Sequence, residues 1–123
     1  MNFKYDHIVT FLWVKNWDTA INFYSQTLGF NKTYESEGWA EFNIPGLKDV
    51  YFAINRWNND ESIPQNHFIT FRVSNLDNFL KHLKEHNVKI TSEIEEFIEE
   101  GQGLRMFKFS DPDGNILTAS EII

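Results

Sequence analysis

Apolar positions in this chain first alternate and then fall on a helical stripe, and the chain runs through that change of period twice. Residues 7–14, HIVTFLWV, alternate within a β-branched and aromatic run, which predicts a strand. Thr10, Leu12 and Val14 share one face of it, while His7, Val9, Phe11 and Trp13 share the other. Both faces are apolar, so both are expected to be covered. Asn16 then stands as an N-cap, with Asp18 in the first turn where a carboxylate suits the helix dipole. Trp17, Ala20, Ile21, Tyr24 and Leu28 follow the i, i+3, i+4, i+7, i+11 spacing of an amphipathic helix, which Gly29 stops.

Three short strands are expected next, at about Asn31–Glu37, Trp39–Ile44 and Asp49–Asn55, with turns at Gly38 and Pro45-Gly46. Shifting the frame by 59 residues, from Val14 to Val73, then lays Val14-Lys15-Asn16-Trp17-Asp18 on Val73-Ser74-Asn75-Leu76-Asp77. Phe68–Val73 is the second opening strand, with Ile69, Phe71 and Val73 towards the helix and Phe68, Thr70 and Arg72 opposite. Asn75 caps a helix striped by Leu76, Phe79, Leu80 and Leu83 and ending near Asn87. Strands follow at about Lys89–Phe97, Leu104–Ser110 and Ile116–Glu121, with turns at Gly101-Gln102-Gly103 and Asp111-Pro112-Asp113-Gly114. The order is βαβββ, linker, βαβββ: one α+β domain of two modules, about 1–57 and 67–123, joined by the polar linker 58–66.

Composition changes this picture in three ways. Aromatics make up 16% of the 123 residues, with twelve Phe and four Trp, enough to line a cavity as well as fill a core. A net charge of −7 removes nucleic acid from the partners, because phosphate backbones need a basic stripe, and leans weakly towards a cationic ligand. The absence of Cys removes disulfides and thiolate chemistry. No run approaches a membrane span and the first residues have no apolar signal core, so a cytoplasmic protein is the expectation.

The pattern Val14-x-Asn16-x-x-x-Ala20-x-x-Phe23-Tyr24-x-x-x-Leu28-Gly29-Phe30, followed later by Phe109-Ser110-Asp111-Pro112-Asp113-Gly114-Asn115, resembles the vicinal oxygen chelate superfamily. That group includes glyoxalase I, bleomycin-resistance and fosfomycin-resistance proteins and extradiol dioxygenases. The resemblance spans nearly the whole chain. It implies that each βαβββ module is a curved four-stranded mixed sheet with one packed helix. It further implies that two modules, from one chain or two, enclose a ligand cleft, and that the protein is a homodimer. Motifs of this kind specify the fold far better than the function.

Enzymes of that superfamily hold a divalent metal on inward His and Glu residues. The positions to which the resemblance carries those ligands are Val9, Phe68, the stretch 51–53 and Thr118, where no imidazole or carboxylate stands. No metal and no cofactor are therefore expected, and no catalytic residue is assigned. His7 and His67 read as polar residues at strand starts. His82 and His86 have the i, i+4 spacing of a zinc pair but lie off the apolar stripe with no third ligand nearby.

What remains is similar to the metal-free bleomycin-resistance branch: a protein that binds or sequesters a drug or metabolite, cationic or aromatic, in an aromatic cleft. The expected lining is Phe11, Trp13, Trp39, Phe68 and Arg72, with Glu41 and Thr118 as polar anchors. The alternative is a glyoxalase-like lyase or isomerase, or a dioxygenase, with a shifted ligand set such as His7, Glu41 and Glu121.

Overall fold

The computed structural model describes residues 2–123, so Met1, the first residue of the expected first module, lies outside it. The chain divides into two compact units, one ending at Pro64 and the other running Gln65–Ile123. No helix is long and apolar enough to cross a membrane.

The first unit contains β1 (Ile8–Val14), α1 (Trp17–Asn22), a π-helical turn (Phe23–Thr27), β2 (Asn31–Glu35), β3 (Trp39–Asn43) and β4 (Val50–Arg56). The strands form a mixed sheet in the order β1-β4-β3-β2, with β1 parallel to β4 and the other pairs antiparallel. Alternation decides which face is core. Leu12, Val14, Ala40, Phe42, Phe52 and Ile54 are all buried, and Tyr24 from the π-helical turn packs its ring 4.6 Å from Phe52 and 6.2 Å from Phe42. Burying each of the larger aliphatic and Phe side chains among them contributes about 1.5–3 kcal/mol.

The expected helix ending at Gly29 is present, but its second half is π-helical. Leu28 N–H reaches the carbonyl of Phe23, one residue further than in an α-helix, and Gly29 then takes φ 78°. Asn16 occupies the N-cap position without making the side-chain capping bond. The strand expected at 31–37 is shortened and bulged at Thr33. That single surplus residue puts Lys32 and Glu35 on the helix side together, where they pair at 2.5 Å. Glu35 also accepts from the buried Trp17 indole N–H at 3.1 Å. The Lys32 hydrogen bond, then that of Trp17, hold its carboxyl below the usual range.

The second unit contains β5 (Thr70–Arg72), α2 (Leu76–Glu85), β6 (Lys89–Ile90), β7 (Glu95–Glu99), β8 (Gln102–Ser110) and β9 (Ile116–Ile122). Its sheet runs β5-β9-β8-β6, with β7 also on β8, and β5 is parallel to β9. The sheet therefore has five strands where four were expected. The strand expected at 89–97 is split by two surplus residues, since Ile90 faces Phe109 but Glu95 faces Met106. In the gap Lys108 N–H donates to Ser92 Oγ at 2.8 Å instead of to a backbone carbonyl. The hairpin turn is also shifted. Glu100 (φ 51°) and Gly101 (φ 81°) form it, while Gly103 sits inside β8, where an added Cβ would lie 2.4 Å from Ile123 Cγ1.

α2 does make its capping bond, from Asn78 N–H to Asn75 Oδ1 at 3.0 Å. Its stripe buries Leu76 and Leu83 completely, and Phe79 meets Phe107 and Phe109 at 6.3 and 6.0 Å. The start of α2 is tied down by charge. Arg105 grips Asp77 with two hydrogen bonds of 3.0 and 3.1 Å and lies 3.3 Å from Glu96 and 3.7 Å from Glu121. The Asp111 turn closes on itself. Buried Asp111 accepts from the N–H groups of Asp113 and Asn115 and from the Asn115 side chain at 2.8–3.0 Å. Gln65 in turn donates to Asn115 Oδ1.

Candidate functional site

In each unit, the candidate site lies on the sheet face turned away from the helix. In the first unit this face is built row by row across the ladder. Phe11 faces Ala53, which faces Glu41, which faces Tyr34; Trp13 faces Asn55, which faces Trp39. Ala53 is small and fully buried, so the larger residues close over it. Phe11 lies 5.3 Å from Trp13 edge-to-face and 5.5 Å from Trp39, and Trp13 lies 5.1 Å from Trp57. Trp39 Nε1–H donates to Glu41 Oε2 at 2.8 Å, which holds one carboxylate in fixed orientation among the rings. Phe11 is 43% exposed and Val9 36%, so the expectation that both faces of β1 are covered is not met by the unit itself.

Four of the seven expected lining residues, Phe11, Trp13, Trp39 and Glu41, thus share one face. Trp57, within the first module but past the strand expected at 49–55, was missed. Its N–H continues the parallel ladder to Val14 O at 2.9 Å, and its indole donates to the carbonyl of Glu61. An aromatic two residues past a predicted strand end was the available signal.

The other three, Phe68, Arg72 and Thr118, share the corresponding face of the second unit. There a groove of about 230 Å³ is lined by Phe68, Thr70, Arg72, Met106, Thr118 and Ser120, among others. Thr70 Oγ1 and Ser120 Oγ are 3.0 Å apart, and Arg72 Nε donates to Ser120 Oγ at 3.4 Å. Ser120 was missed as a site residue although it shares the parity of Thr118. β5 is shorter than the strand expected at 68–73, and Phe68 lies outside it, fully exposed.

The metal positions implied by the resemblance hold Val9, Phe68, Tyr51, Phe52, Ala53 and Thr118, a donor set that does not fit a divalent ion. The shifted set fares no better. Glu121 lies on the helix side of its sheet, opposite Thr118, where it accepts from Leu76 N–H at 3.3 Å and faces Arg105. His7 packs edge-on to Tyr51 at 4.8 Å, and His67 Nε2–H donates to Ile116 O at 3.0 Å. His86 Nδ1–H donates to the carbonyl of His82, so these two close the end of α2. Among the described residues no three His, Asp or Glu side chains converge as metal ligands do.

The sequence matches the model of the Glyoxalase/Bleomycin resistance protein/Dioxygenase superfamily over residues 4–118. No match to a curated protein is found. Among solved structures, a member of the same superfamily from Sphaerobacter thermophilus DSM 20745 superposes with TM-score 0.78 at 26% identity, covering 97% of this chain and 98% of its own. TnmS3, an antibiotic binding protein from Streptomyces sp. CB03234, gives TM-score 0.78 at 21% identity, with 98% of each chain covered. A superfamily protein from Alicyclobacillus acidocaldarius gives 0.73 at 15%, over 94% of this chain and 90% of that one. The last two likenesses bear on fold alone. With nearly its whole length matched, and the βαβββ order present in the first unit and, with one strand split in two, in the second, this chain belongs to the Glyoxalase/Bleomycin resistance protein/Dioxygenase superfamily.

Proposed function

We propose that this protein binds a small organic molecule, cationic or aromatic, and does so without a metal or a chemical step. The observation that carries this reading is the carboxylate of Glu41, held by the Trp39 indole within a cluster of exposed and half-buried rings. Ring faces attract cations, and a fixed carboxylate neutralises one, so the pair selects an organic cation over a neutral isostere. Phe11, Trp13, Trp39 and Glu41 form this binding face; Phe68, Arg72 and Thr118 form a second candidate face on the other unit. The antibiotic binding named for TnmS3 makes a drug one reasonable ligand. The donor set at the implied metal positions supports binding over metal-dependent lyase or dioxygenase chemistry. A homodimer is the assembly we propose, to be read by sedimentation at micromolar concentration.

Tryptophan fluorescence titrated with benzyltrimethylammonium, and with benzyl alcohol as neutral control, tests the reading. The cation should quench at lower concentration, and Glu41→Gln should weaken it by roughly three- to thirtyfold, the range of a desolvated cation–π and charge contact. Added chelator should leave the curve unchanged. Binding that instead required nickel, zinc, manganese or ferrous iron would return the protein to the metal-dependent class.

A further inference from the structure

Arg56, Arg72 and Arg105 are the only arginines in the chain, and they are used very differently. Arg105 is surrounded by Asp77, Glu96 and Glu121. Arg56 lies 4.8 Å over the Trp17 ring and donates through Nε to the carbonyl of Glu37 at 2.7 Å. Arg72 makes one hydrogen bond, to Ser120 Oγ, and among the described residues no carboxylate comes within ion-pairing distance of it. The chain has 18 Asp and Glu against 11 Lys and Arg. With carboxylates in such excess, a guanidinium outside any ion pair stands out, even though Glu99 and Glu100 line the adjoining groove with it.

Its setting is specific. Arg72, Ser120 and Thr70 form a continuous hydrogen-bonded row along the floor of the groove of the second unit, and Ser120 is 2% exposed. A guanidinium has five N–H donors and no acceptor, and each hydroxyl adds another donor. The row therefore holds more donors than it can satisfy internally. Ser120 Oγ accepts from Arg72, and whichever way the Ser120–Thr70 bond runs, one hydroxyl hydrogen of the pair is left to donate beside the free edge of the guanidinium. Donors at both ends call for a group that only accepts. Phe68 and Met106 bound the row with apolar surface. At about 230 Å³ the groove is smaller than a drug-sized site, so it fits one ring or short chain carrying one charge.

We infer that this groove is a subsite for a carboxylate borne on a flat apolar group, with Arg72 and Thr70 donating to its two oxygens. The planar guanidinium fork matches a carboxylate. A phosphate dianion would bring a second negative charge to a single cation in a chain already at −7. The subsite stands on its own residues and does not depend on the cation reading of the first unit.

Two-dimensional NMR with millimolar benzoate, benzyl alcohol and inorganic phosphate as probes tests it. Benzoate should shift the amides of Thr70, Arg72, Thr118 and Ser120, and the other two probes should not. Arg72→Met should weaken benzoate about tenfold, Arg72→Lys by less, and Thr70→Val by a few-fold, as expected for charge-assisted hydrogen bonds. Thermal melts and undisturbed spectra elsewhere show that each variant is folded. Equal shifts with benzyl alcohol or phosphate, or unchanged benzoate affinity in Arg72→Met, would overturn the carboxylate subsite. Benzyltrimethylammonium quenching in the same samples separates the two readings. Lost benzoate specificity with the quench intact removes only the anion subsite, and the reverse removes only the cation face.

Discussion

The opening strands of the two units occupy equivalent places and carry opposite chemistry. Under the 59-residue shift that aligns Val14 with Val73, Phe11 falls on Thr70 and Trp13 on Arg72. The parallel partners differ in the same sense: Ala53 and Asn55 face β1, while Thr118 and Ser120 face β5. One unit thus presents rings around a carboxylate, and the other presents hydroxyls around a guanidinium. The helix-facing residues show no such divergence, because Leu12 and Val14 correspond to Phe71 and Val73 and all are apolar. Packing against a helix constrains one parity of each strand, and the other parity is left to acquire chemistry.

The sharpest check of that equivalence lies in the cores. Phe52→Ala and Phe107→Ala each remove a ring from the helix-facing layer, where exposure is 0% and 1%. Both should cost about 3–5 kcal/mol in urea denaturation, at the level found for large buried aromatics. A loss below about 1 kcal/mol for one alone would show that the two layers are not equivalent. Next comes a difference between the units. Asp111→Ala strips the acceptor from two backbone N–H groups and the Asn115 amide, at a cost of about 2–3 kcal/mol by the same measurement. In the first unit, Pro45-Gly46 turns the chain with Leu47 N–H on Ile44 O and Gly46 at φ 86°, so no such carboxylate is needed there.

The smallest expected effect concerns pH. Arg105 holds the Asp77 carboxyl below its ordinary value of 3.8, chiefly by hydrogen bonding. A depressed folded value stabilises the charged form, so the contribution is complete above the unfolded value and disappears as pH falls through the folded one. The melting-temperature gap between the protein and Asp77→Asn should be constant from about pH 7 to pH 5 and vanish by roughly pH 2, and salt should narrow it. A gap that widened on acidification would contradict the assignment.

Much of this was legible in the residues. Alternation placed Leu12 and Val14 inwards, the i, i+3, i+4 stripe located both helices, and the repeat gave the order of the elements, save that one strand of the second unit is split in two. The face carrying Phe11, Trp13, Trp39 and Glu41 followed from parity. Parity could not show where a ladder skips. An extra residue at Thr33, or two between Ile90 and Glu95, leaves the local pattern strand-like, and only the partner strand reveals the slip. The π-helical turn was hidden for a related reason, since Tyr24 keeps its place on the apolar stripe whichever carbonyl Leu28 reaches. Ser120 and Thr70 matter through their bonds to each other and to Arg72, a relation across strands that no single stretch contains.

The two ladder slips also differ in arithmetic. One surplus residue reverses which side of the sheet every later residue sees; two restore it. β7 therefore keeps Phe97 opposite Leu104, on the groove side, despite the interruption before it. Related chains should vary in length between Ile90 and Glu95 by even steps, since an odd one would exchange Phe97 with Ile98 and present the wrong residue to whatever the groove admits.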